Sequence, residues 1–154
     1  MNIRSISVVI GIVLGGNLIS HPLAQAEEKP EIDVQIHATT AAIWQDLDQQ
    51  NAALGKAIQA GAFDEVHHRA FAIRDLVAAL PAHSGSLSPD KLAQVKANAQ
   101  FVDTLAQRLD TDGDAKDKAG TESSYRKLQR ILDVIRAYYP GDVTGHIINR
   151  KDIQ

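Results

Sequence analysis

Residues 63–76 read FDEVHHRAFAIRDL. Apolar side chains fall at Phe63, Val66, Ala70 and Ile73, and the spacing continues to Val77 and Leu80. Steps of three and four residues put them on one face of a helix, so the stretch is a helix turned toward a core. With Phe63 and Val66 as heptad positions a and d, His67 falls at e and His68 at f. The spacing thus predicts His67 at the core edge, packed on Phe71 four residues on, with His68 in water. Neighbouring helical residues diverge by about 100°, so these two imidazoles are not expected to chelate one ion together.

The same spacing recurs on both sides. Leu92, Val95, Ala99, Val102, Ala106 and Leu109 form one stripe; Leu128, Ile131, Ile135 and Tyr138 form another. A less regular segment, 36–59, carries Ile36, Ile43, Trp44, Leu47, Leu54 and Ile58. No strand-like alternation of any length interrupts them. Gly61 suits a left-handed helix end. Pro81 stops the next helix, and PAHSGSLS (81–88) is a loop. Ser88-Pro89-Asp90 supplies an N-cap, a first-turn proline and a favourable carboxylate. DTDGD (110–114) ends the third helix, with Gly113 as its cap; the fourth begins between 114 and 121 and stops before Pro140-Gly141. The expected fold is all-α, an up-down-up-down antiparallel four-helix bundle of helices about 30 Å long. The alternative is a long helical hairpin that completes its core as a homodimer.

Residues 1–26 read as a Sec-type signal peptide: Arg4, then an apolar run, then Pro22 and Ala24-Gln25-Ala26. Export to the periplasm is expected, leaving 27–154 as one bundle domain with a short irregular tail. No other apolar run could cross a membrane. Arg4 is the only charge in 1–26, so its removal takes the net charge from −3 to −4. That balance, with no basic patch, argues against nucleic acid. The chain has no cysteine, and its one methionine is Met1. Beyond the signal there is therefore no thiolate or thioether for Cu(I), Fe–S clusters, covalent haem or nucleophilic catalysis.

An exported chain with a short link at QAGAFDEV, a Ser/Pro loop before the third helix and the ending RAYYP resembles the periplasmic four-helix b-type cytochromes over 36–139. The resemblance implies the bundle fold. It also implies a haem held by a methionine near the start of helix one and a histidine near the end of helix four. This chain offers no such methionine and has Ala137-Tyr138-Tyr139 at the second position, which speaks against haem. A weaker likeness, resting on export, helices and scattered histidines, is to small periplasmic metal-resistance proteins.

In an antiparallel bundle, His37 and His83 lie at similar distances from the turn at 61, and the chain's end brings His146 to the same pole. Three imidazoles there would suit Cu(II), Zn(II) or Ni(II), with Glu31, Asp33 or Asp142 adding a carboxylate. Trp44, Tyr138 and Tyr139 belong to that end, as core or as the lining of a ligand cavity. His67 is a further metal candidate, at the opposite pole and within reach of an aspartate. Asp110, Asp112 and Asp114 have a calcium loop's first spacings, but Ala115 and Thr121 stand where it needs Gly and Glu. No G-x-S-x-G, H-E-x-x-H or Gly-rich phosphate loop occurs. The expectation is a soluble, non-enzymatic accessory protein that binds a divalent transition metal for buffering or sensing. The alternatives are a cytochrome relative that takes haem or another planar ligand, and a bundle that docks a protein partner.

Overall fold

The computed structural model describes residues 34–141. They form four α-helices and no strand: α1 Thr40–Ala60, α2 Asp64–Ala79, α3 Pro89–Asp114 and α4 Lys118–Arg136, with a 3₁₀ turn over Leu80–His83. The expected signal peptide and the tail beyond 141 lie outside the described residues.

Each boundary has a local cause. The Thr39 hydroxyl accepts from the Ala42 N–H and starts α1. Gly61 ends it at φ +73°, where the Gly61 and Ala62 amides return to the Ile58 and Ala57 carbonyls. Pro81, which has no N–H for a continuing ladder, lies in the 3₁₀ turn after α2. Ser88 caps α3 by accepting from the Lys91 N–H, with Pro89 in the first turn. Asp117 caps α4 by accepting from the Gly120 N–H.

Three boundary expectations are corrected. The first helix starts at Thr40, and Ile36 precedes it, exposed. The third continues through DTDGD to Asp114; Lys116, at φ +53°, makes the turn after it. Gly113 is a buried helical residue there. A Cβ on it would lie 3.3 Å from Val66 Cβ, so the missing side chain lets α3 approach the start of α2. The fourth ends at Arg136, two residues before Tyr138.

α2 packs broadly on α1 and α3, and α3 on α4, whereas α1 and α4 touch along a much shorter line. Ile43, Leu54, Val66, Ile73, Leu76, Val77, Leu80, Val102, Leu109, Leu128 and Ile135 are fully buried in one core. Each such side chain contributes about 1.5–3 kcal/mol, which is how a chain without disulfides holds together. On α4 the buried stripe is Thr121, Ser124, Leu128, Leu132 and Ile135, continued by Tyr139. The sequence spacing selected Ile131 and Tyr138, which are half-buried. Both stripes obey a 3-4 rhythm, and the polar Ser124 and Thr121 decide between them by finding partners inside: Asp112 and the Asp117 carbonyl.

Candidate functional site

Because α1 and α4 meet over so short a line, a groove of about 730 Å³ opens between them. That is within the range of small-molecule sites. Its α1 wall is Trp44, Asp48, Asn51 and Ala52; its α4 wall includes Tyr125, Arg126, Gln129, Arg130, Asp133 and Arg136. Residues 126, 130 and 133 recur at helical spacing, which aligns them along one side of α4.

Trp44 lies at one end of the groove. Its ring meets Tyr139 edge-on at 5.9 Å between centroids. The Arg136 guanidinium sits over the indole, 4.4 Å from the centroid, and also forms a forked ion pair with Asp48. The Tyr139 hydroxyl is 2.6 Å from Ser84 Oγ, and Ser84 also donates to the Leu80 carbonyl. One polar and aromatic knot thus ties α1, the 3₁₀ turn and the segment after α4. At the groove's middle, Tyr125 donates to the Asn51 carbonyl at 2.9 Å. Burial raises the Tyr125 phenol above its ordinary value of 10.0. Trp44 Nε1 and Asn51 Oδ1 are shut from water and have no protein partner. Such atoms carry a desolvation cost wherever they occur.

Arg126 and Arg130 are one helical turn apart. Among the described residues neither has a carboxylate within ion-pair distance. Like charges at this spacing oppose the helix by a few tenths of a kcal/mol, and an anion placed between them would reverse that sign.

Comparison with known protein families, characterised proteins and solved structures finds no match. The likeness to the four-helix cytochromes therefore rests on layout.

The sequence-derived metal residues are distributed as follows. His37 pairs with Asp46, Nε2 to Oδ2 at 3.0 Å. His83 is exposed in the 3₁₀ turn. His146 lies outside the described residues. His67 lies in the first turn of α2, about 24 Å from His83 by helical rise. No group of three His, Asp or Glu side chains suited to a metal forms among the described residues. The pole expected to gather histidines is tied by Trp44, Ser84 and Tyr139 instead.

His67 does find an aspartate: Nδ1 is 2.8 Å from Asp110 Oδ1 across α2 and α3. It also packs on Phe71, ring centroids 4.6 Å apart, and its Nε2 is buried without a partner. His68 departs from the expected solvated position. It is half-buried, meets the His67 ring edge-on at 5.3 Å, and keeps Nδ1 away from water. Arg74 covers the Phe71 ring and bonds Asp75; Arg69 reaches Gln50 of α1 and Glu65. Asp110, Asp112 and Asp114 lie within α3, a geometry without the bend of a calcium loop.

Of the residues expected to line a ligand cavity, Trp44 borders the α1–α4 groove and Tyr138 and Tyr139 do not; its α4 wall is not among the expected site residues. Its signal was present as Arg126, Arg130 and Arg136 on the α4 side, with one Glu and one Asp nearby at 122 and 133.

Proposed function

We propose that the chain is an up-down antiparallel four-helix bundle, exported by residues 1–26, that acts as a non-enzymatic binding protein for a small organic anion held between α1 and α4. The topology is supported by contacts that run in opposite directions along successive helices. Trp44 near the start of α1 meets Tyr139 beyond α4, and Ser84 beyond α2 meets the same Tyr139. Val66 and Phe63 at the start of α2 lie against Gly113 at the end of α3, while Asp112 there bonds Ser124 early in α4.

The observation behind the binding reading is the pair Arg126 and Arg130, without a carboxylate in ion-pair distance among the described residues, on the wall of a groove that Trp44 also lines. A carboxylate bridging two guanidiniums gains charge-assisted hydrogen bonds, and the edges of the nearly buried Trp44, Leu47 and Leu132 line the groove beside it. Trp44 is the chain's one tryptophan, so its emission reports on this site alone. Benzoate, citrate and inorganic phosphate are suitable probes. The reading expects a saturable emission change with at least one carboxylate, lost in Arg126→Gln/Arg130→Gln. An unchanged titration in that double variant, or no response to any of the three, overturns it.

A metal reading keeps one observation in its favour. Asp110 holds His67 Nδ1 and leaves Nε2 without a partner, the carboxylate–histidine arrangement that commonly orients a metal-bound imidazole. Calorimetry with zinc, copper(II) and nickel(II) salts tests it: His67→Ala should abolish the binding heat, whereas loss only on His37→Ala/His83→Ala would move the site to the other pole.

A further inference from the structure

A second groove, of about 300 Å³, runs between α3 and α4. Its walls are Phe101, Thr104, Leu105 and Arg108 from α3 with Lys127, Arg130 and Ile131 from α4. Phe101 is 59% exposed and Val134, one turn beyond Arg130, is 45% exposed. Apolar surface grouped along a groove, unlike a single exposed side chain, marks a binding site.

Two cations, Arg108 and Lys127, stand at one end; Arg130, beside Ile131, stands at the middle, and no cation lines the Phe101 end. Given the antiparallel topology proposed above and the Asp112–Ser124 bond as register, Arg108 lies level with Lys127, and Leu105 with Ile131. Phe101 lies level with Val134. Over about 10 Å of helix the groove passes from a cationic end to an apolar end. Among the described residues, Arg108, Lys127 and Arg130 have no carboxylate within ion-pair distance. The nearest acid along this face of α3, Asp112, is engaged by Ser124.

We infer that this groove binds a single-headed anionic amphiphile of the medium-chain fatty acid class. The carboxylate meets Arg108 and Lys127, and the acyl chain lies on Leu105, Ile131 and Phe101. The polarity of the groove favours this occupant over a docked helix, which needs a row of anchors over several turns; here the apolar levels number only two. It also favours it over a flat bilayer surface, which would surround the apolar residues with cations, whereas none lines the Phe101 end.

Calorimetric titration of the whole protein with decanoate, below its micelle concentration, tests the inference, with 1-decanol as the uncharged comparator. Decanoate should bind at one site, weaken with salt and outcompete decanol. Arg108→Gln/Lys127→Gln should weaken it by about tenfold or more, and Phe101→Asp should abolish it. These three residues are absent from the α1–α4 groove, so the Trp44 titration with benzoate or citrate should stay as in the parent, which separates the two sites. All three side chains are exposed, and circular dichroism should show the variants folded. Decanoate binding that ignores these substitutions, or no binding at all, overturns the inference. So does a Phe101-dependent dimer in sedimentation, or Phe101-dependent binding to phosphatidylglycerol vesicles, without a decanoate site.

Discussion

Replacing Gly55 by alanine should destabilise the protein, against the sign expected for a helix interior. In an open helix that change gains about 1 kcal/mol, because alanine loses less backbone entropy than glycine. Gly55 faces Tyr125 across the α1–α4 groove. A Cβ there would lie 2.6 Å from the Tyr125 Oη and 3.1 Å from its Cζ. The phenol cannot retreat freely, since it donates to the Asn51 carbonyl one turn earlier on α1. Displacing it forfeits a hydrogen bond of about 0.5–1.5 kcal/mol and strains packing by about 1–3 kcal/mol. Set against the propensity gain, the net loss is about 0.5–3.5 kcal/mol. Denaturant unfolding measures it directly, and a double-mutant cycle isolates the cause. In a Tyr125→Phe background the nearest atom is gone and the hydrogen bond with it. Gly55→Ala should then cost at least about 1 kcal/mol less than in the parent. A parent protein stabilised by Gly55→Ala, or a cycle with no coupling, would refute the close approach of α1 and α4 at this level.

Two further outcomes follow from the same geometry. Burial raises the Tyr125 phenol above 10.0, so the folded state holds this proton longer than the unfolded chain does. Its contribution is whole below pH 10 and is lost as pH rises through the folded value; alkaline thermal melts should fall more steeply in the parent than in Tyr125→Phe. Asp110→Ala should cost about 1–3 kcal/mol in denaturant unfolding by stranding His67 Nδ1, and equal stability would show that the pair is not formed in solution.

The helices were legible because their causes are local. Gly61, Ser88, Pro89 and the 3-4 rhythm of α2 and α3 act within a turn or two of themselves. The errors arise where a distant partner decides. Gly113 reads as a helix end until Val66 is seen against it. Ile131 and Leu132 are equally apolar, and the burial of Ser124 and Thr121 turns α4 to favour Leu132. His67 was placed within reach of an aspartate by helical rise alone, and Asp110 meets it. The polar knot was half legible: Trp44 and Tyr139 were assigned to one end, but Ser84 in a loop of serines gave no sign that it would be buried between them. Of the α1–α4 groove the sequence shows the Trp44 end and the α4 arginines but not the opening itself, which follows from how loosely two sequence-distant helices close.

The antiparallel arrangement proposed above relates the two grooves and the two poles, and a nuclear Overhauser spectrum tests it at both ends in one sample. With a single tryptophan and three tyrosines, the aromatic region is readily assigned. Cross-peaks are expected between the Trp44 indole and the Tyr139 ring, whose centroids lie 5.9 Å apart, together with cross-peaks between the Val66 methyls and the Gly113 α-protons. Cross-peaks from Trp44 to Phe63 or Val66 in their place would contradict the antiparallel arrangement.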